Sequence, residues 1–156
     1  MKKGLLHFSP FVVILFLLIG GCSTERDATQ AEGTEIDIEA LQEAITVGEW
    51  QITVYETNDV DFVIHYQGYV FTFNGEGVVG AATSNTVISG AWSVIDGANG
   101  NGLKGKAVEF RLFFAGPDIF RALTQGWEVK SQTENRLELV CKDSDQVLTT
   151  LVFESL

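Results

Sequence analysis

The residues that most constrain this chain are those between Val108 and Phe114. Val108, Phe110, Leu112 and Phe114 are apolar, whereas Glu109 and Arg111 between them are charged. A period of two places alternate side chains on opposite faces of an extended strand, so this run buries one face and wets the other. The pattern recurs along the chain. Trp50, Ile52 and Val54 alternate with Gln51, Thr53 and Tyr55, and Tyr69, Phe71 and Phe73 alternate with Val70, Thr72 and Asn74. Further runs are Val78 to Thr83, Thr86 to Ile95, Trp127 to Ser131, Arg136 to Lys142 and Val147 to Phe153; the last has apolar residues on both parities, which leaves its facing open. Short runs separated mostly by Gly, Asn, Asp and Ser describe an all-β antiparallel meander. Closing it on itself removes exposed edges. The expected fold over residues 48–154 is therefore an eight-stranded up-and-down barrel or a strongly curved sandwich.

Three segments break the strand rhythm. Before the first run, Asp37 is placed to cap a short helix, Ile38, Leu41 and Ile45 recur at helical spacing, and Gly48 suits the stop. Three apolar residues cannot sustain an isolated helix, so it must dock on the strands as a cap. Thr57 to Asp61 opens a loop, and Phe62 to Gln67 reads as a short strand or a lid. Gly116-Pro117-Asp118 opens a helical turn carrying Ile119, Phe120 and Leu123, apolar residues that suit a plug at a barrel end better than a mobile gate.

The N-terminus reads differently. Lys2 and Lys3 precede an unbroken apolar run from Phe11 to Ile19, and Ile19-Gly20-Gly21-Cys22 follows. This order is that of a secretory signal peptide, and the run is far shorter than the ~20 residues that span a bilayer. A cysteine directly after those small residues resembles the lipobox of bacterial lipoproteins. The resemblance implies a signal peptide at 1–21, acylation of Cys22, and a location in the cell envelope on a lipid anchor. Ser23 rather than Asp follows, which in a two-membrane cell implies the outer membrane. Residues 23–36 are small and polar and read as a tether, which leaves 37–156 as the folded domain. With Cys22 linked to lipid, Cys141 has no disulfide partner; it ends the alternation Leu137, Leu139, Cys141 and reads as a buried structural thiol.

The chain carries a formal charge of −11. Removing residues 1–21 leaves eight basic against 21 acidic residues, a charge near −13. That sign excludes nucleic acid, whose binding needs Lys and Arg on phosphates, and opposes lying flat on anionic lipid. Twelve carboxylates and no Lys or Arg lie between Asp27 and Asp96. This asymmetry either vanishes when strands of both halves pair or leaves a one-sided acidic face.

Gly48-Glu49-Trp50, after a short helix and at the start of the first strand, resembles the Gly-x-Trp signature of lipocalins. Gly90-Ala91-Trp92 repeats the spacing. Together with Gly68 to Phe73 and Phe113 to Asp118, these motifs make residues 48–154 similar to the small lipocalin-like lipoproteins of Bacteroidetes-type envelopes. The resemblance implies a barrel closed at one end by Trp50 in a structural role. Lipocalins place a basic residue late in the barrel against that tryptophan; Val147 to Leu156 contains none, and Arg136 is the available substitute.

Chemistry is sparse. His65 is the single histidine after Cys22, and nothing beside it forms a nucleophile motif. One His and one apolar-face Cys do not make a metal site, so no catalytic residue, metal or cofactor is expected. Asp96 to Gly102 lacks the bidentate glutamate of a calcium loop and reads as a Gly/Asn-rich hairpin. Two functions of different kinds remain. Phe71, Phe73, Trp92, Phe110 and Phe114 could line a cavity for a small apolar ligand, with Gly80, Ala81 and Ala82 leaving space. Alternatively, those rings fill the barrel, and the domain is a non-catalytic module that contacts another envelope protein through its surface.

Overall fold

Asp37 accepts hydrogen bonds on Oδ1 from the backbone of Glu39 and Ala40, which caps helix α1 (Ile38–Thr46). The computed structural model describes residues 36–96 and 107–156. The segments expected to be signal peptide and tether, up to residue 35 and including Cys22, and the Gly/Asn-rich segment after Asp96 lie outside the described residues. After α1 and the left-handed Gly48 come β1 (Trp50–Thr57), β2 (Val60–Asp61), a 3-10 turn (Val63–Tyr66), β3 (Val70–Phe73), β4 (Val78–Ala82) and β5 (Val87–Ile95). The second half supplies β6 (Glu109–Phe114), the single turn α2 (Asp118–Arg121), β7 (Gln125–Thr133), β8 (Arg136–Lys142) and β9 (Leu148–Ser155).

The strands pair antiparallel in the order β2-β1-β3-β4-β5-β6-β7-β8-β9, and β1 also pairs with β9 from Trp50↔Ser155 to Thr57↔Thr149. That pairing closes an eight-stranded up-and-down barrel, with β2 hairpinned onto the end of β1. Asn58 and Asp59, both at positive φ (49° and 62°), make the two-residue turn of this hairpin. The expected strands all form, Arg136–Lys142 over the expected residues and the others with ends moved by one to a few. Phe62 to Gln67 is not a strand: Val63–Tyr66 coils into the 3-10 turn, Asp61 Oδ1 accepts from the Val63 backbone at its start, and Tyr66 is buried at the plug end.

Inward residues are mostly those the alternation picks out, from Trp50 through Phe71, Phe73, Trp92, Phe110, Leu112 and Phe114 to Trp127, Leu139 and Phe153, all buried. The β1 bulge between Ile52 and Val54 shifts the alternation, turning Tyr55 inward in place of the expected Val54. β9 settles its ambiguous facing with Leu151 and Phe153 in the core, while Val152 pairs with Val54 and Glu138 on the other face. At the end where β1 begins, α1 seats Leu41 and Ile45 against the core. At the opposite end, α2 drives Phe120 and Leu123 inward to zero exposure. The Phe120 ring meets Tyr69, Phe114, Tyr66 and Phe71 with centroids 5.0–6.2 Å apart. The Tyr66 hydroxyl donates to the Ile119 carbonyl at 2.6 Å and the Trp127 indole to that of Leu123 at 3.0 Å. The segment is a plug.

Candidate functional site

Two surfaces could carry function, the inner face of the barrel and its outer wall. On the inner face, the five side chains expected to line a cavity are in ring contact with other aromatics. Trp92 stacks on Phe110 at 5.7 Å with 24° between planes. Phe73 meets Trp92, Phe110 and Phe153 edge-on at 5.6–5.9 Å. Phe71 reaches Phe153 at 5.3 Å, and Phe114 reaches Phe120 at 5.2 Å. These separations are those of packed aromatic pairs. The run of contacts from Trp92 to Phe114 passes through Phe153 and Phe120, so rings from four strands and the plug share one core.

Polar groups on this face are already engaged. The Trp92 indole donates to the Asn74 carbonyl at 3.0 Å, while Asn74 Oδ1 accepts from the backbone of Glu76 and Val78 and so shapes the β3–β4 turn. No polar or charged residue is buried among the described residues, although the Thr53 hydroxyl at the β1 bulge is enclosed without a hydrogen-bond partner there. Burial, and next the neighbouring Tyr55, push the Tyr66 phenol well above its ordinary value of 10.0; burial pushes Tyr55 the same way.

Trp50 is 1% exposed, and its indole donates to the Ile45 carbonyl of α1 at 3.0 Å. Arg136 is committed elsewhere, to Glu154 at 2.5 Å and Glu138 at 3.3 Å. Cys141 is half-buried, donates to Gln125 Oε1 at 3.3 Å, and has its thiol pKa raised by burial and then by Asp143, which favours the protonated form. His65 is exposed and stacks on Phe62. Among the described residues no three His, Cys, Asp or Glu side chains form a metal site.

The outer wall divides into two unlike halves. From β6 to β9 it carries ion pairs: Arg111 with Glu109, Lys130 with Glu128, and Arg136 with Glu138 and Glu154. Here an open groove of about 710 Å³ runs over Gly126 and Val140 between Glu109, Arg111, Glu128, Lys130 and Lys142. From β3 to β5 the outward residues are Val70 and Thr72, then Val78, Gly80 and Ala82, then Val87, Ser89, Ala91, Ser93 and Ile95. None is charged. The charge asymmetry thus survives folding, yet the N-terminal half contributes an uncharged wall rather than an acidic one. Its carboxylates sit largely outside these strands, on α1 and in the turns, as with Glu39, Glu43, Asp59 and Glu76. The signal was in the sequence: between Phe62 and Ile95 only Glu76 is charged among Asp, Glu, Lys and Arg.

A second missed residue is Gly90. A Cβ there would meet the Phe113 carbonyl oxygen and come within 2.6 Å of the Phe114 ring, so this glycine is the space into which Phe114 packs. The Gly-x-Trp spacing drew attention to the position, but the reason for glycine lies on the neighbouring strand.

No protein-family model matches the chain, and no curated protein matches it either. Among solved structures, the crystal structure of a DUF4847 family protein from Bacteroides vulgatus ATCC 8482 is similar, with a TM-score of 0.47 and 16% identity over 74% of this chain and 96% of that one.

Proposed function

We propose that this chain is a lipid-anchored, non-catalytic lipoprotein of the cell envelope, held at Cys22 and, in a two-membrane cell, at the outer membrane. Its lipocalin-like barrel is filled, and it acts through its outer surface on another protein of the envelope. The observation that supports this reading is the ring-to-ring packing of Phe71, Phe73, Trp92, Phe110 and Phe114, each with an aromatic neighbour where a ligand would have to sit. An eight-stranded barrel has room for side chains or for one small ligand, and here side chains occupy it.

The test is uptake of a fluorescent naphthylamine probe by the domain from Ile36 onward. The parent should show no saturable binding. Phe73→Ala, which removes the ring shared by Trp92, Phe110 and Phe153, should create an apolar cavity and bind benzene-sized molecules. One-to-one saturable uptake by the parent would instead favour a carrier of a small apolar ligand lined by those five residues.

A further inference from the structure

We propose that the outer wall of β4 and β5 is a self-association surface, on which a second copy of this chain packs face to face about a two-fold axis lying between the two strands. The proposal goes beyond the reading above and stands whether or not the barrel holds a ligand.

The first observation is one of size. Across the β4–β5 register the outward pairs are Val78↔Ala91, Gly80↔Ser89 and Ala82↔Val87. The outer pairs each set a larger residue beside a smaller one, with the larger on β4 at one end and on β5 at the other. Rotation by 180° about an axis parallel to the strands and midway between them brings β4 of one copy over β5 of its partner at the same height. Each valine then lies over an alanine, and glycine lies over serine. An isologous interface needs this kind of self-complementarity, in which one patch supplies both the projection and the hollow. The valines are free to make the contact, with Val78 44% and Val87 75% exposed; Phe113, paired with Ala91 on β6, flanks the patch at 58% exposed.

Charge supplies the second observation. Two copies that each carry a formal −11 repel wherever carboxylates face one another. The β3–β5 wall is where they can approach without that cost, and it has no Lys or Arg with which to attract an acidic partner or anionic lipid headgroups. With the barrel closed and the edge strand β2 only two residues long, strand-edge pairing offers little, which leaves face-to-face packing with the two sets of strands within ~30° of each other. Three strands at ~4.8 Å and five to seven residues at ~3.3 Å give a face of roughly 15 by 20 Å. Two such faces bury about 600 Å², below the ~1,000 Å² of stable specific interfaces, so the dimer is weak and concentration-dependent.

The test is sedimentation velocity of the full chain in a density-matched detergent across a concentration series. The parent should pass from monomer to dimer. Ser89→Glu, which sets two carboxylates near the axis, should raise the dissociation constant at least ~tenfold, a loss of ~1.4 kcal/mol. Ser89→Ala should leave it unchanged, as should Lys130→Ala on the charged wall. Ser89 and Lys130 are both exposed, so unchanged melting temperatures establish that the variants fold. A short bis-maleimide should link Ser89→Cys into a covalent dimer but not Lys130→Cys. A parent that stays monomeric throughout overturns the proposal. So does a dimer that survives Ser89→Glu.

Discussion

The indole nitrogen of Trp50 donates to the carbonyl of Ile45, so the first residue of the barrel closes the last turn of the helix that covers it. One side chain thereby supplies apolar volume beneath α1 and satisfies a carbonyl that the helix leaves open. Trp50→Ala should cost ~3–5 kcal/mol, because it leaves both a cavity and an unpaired acceptor. Trp50→Phe keeps most of the volume and should cost only ~1–2 kcal/mol. Thermal melts of the domain from Ile36 onward check both: the alanine variant should lose more than roughly 10 °C. A loss of about two degrees would place Trp50 at an open mouth instead.

The plug makes stability sensitive to alkali. The Tyr66 hydroxyl donates to Ile119, and burial holds its pKa above the ordinary value, as it does for Tyr55. In the unfolded chain these phenols lose protons near 10, while the folded chain keeps them. Folding thus binds protons above that pH, and stability falls as pH rises through it. The melting temperature should be level from pH 7 to 9 and decline above about 10. Tyr66→Phe should cost ~1 kcal/mol at neutral pH and reduce the alkaline decline. Tyrosinate absorbance followed alongside circular dichroism shows whether buried phenols titrate only on unfolding.

Gly90 and Gly126 should respond differently to alanine. At Gly90 the new methyl meets the Phe113 carbonyl and the Phe114 ring, neither of which can move without disturbing β6, so Gly90→Ala should cost ~2–3 kcal/mol. At Gly126 it meets the carboxylate tip of Glu109, which can swing into solvent and release Arg111. The loss of that exposed ion pair is worth under ~1 kcal/mol. Denaturant midpoints of the two variants should therefore separate clearly, with Gly126→Ala close to the parent.

Anchoring is tested at Cys22. The parent should take up labelled palmitate and resist a salt wash, as a multiply acylated residue does. Cys22→Ala should incorporate no label and lose its firm hold on the membrane. Labelling that persists in the variant would remove Cys22 as the attachment point.

Strands with strict alternation were legible from residues alone. Arg136–Lys142 forms over the expected residues, and Glu109–Phe114 starts one residue late. Val63–Tyr66 was not legible, because four residues are too few for a period to show, and the Asp61 side chain that starts the turn acts through a hydrogen bond rather than through hydropathy. β9 was ambiguous because Val152 is buried on the outward side, beside Val54 and Glu138, which alternation cannot distinguish from the core. The interior was half legible. Alternation placed Phe73 and Phe110 on one face, but whether their rings touch depends on register and rotamer across non-neighbouring strands. The uncharged wall needed the register too, since Val78 and Ala91 become neighbours only when β4 pairs with β5.

The β1–β9 seam also dictates an order of assembly. Each remaining junction of the barrel joins strands adjacent in sequence or separated by one or two small elements, whereas the seam joins Trp50 to Ser155. Local hairpins can form as the chain emerges, but the long-range seam carries the largest loop-closure entropy and comes last. Until Leu148–Ser155 is available, β1 and β8 both present bare edges that can recruit other chains. A polypeptide with this topology is thus exposed to aggregation until its final strand arrives, and loss of those eight residues would leave an open sheet with two adhesive borders rather than a shortened barrel.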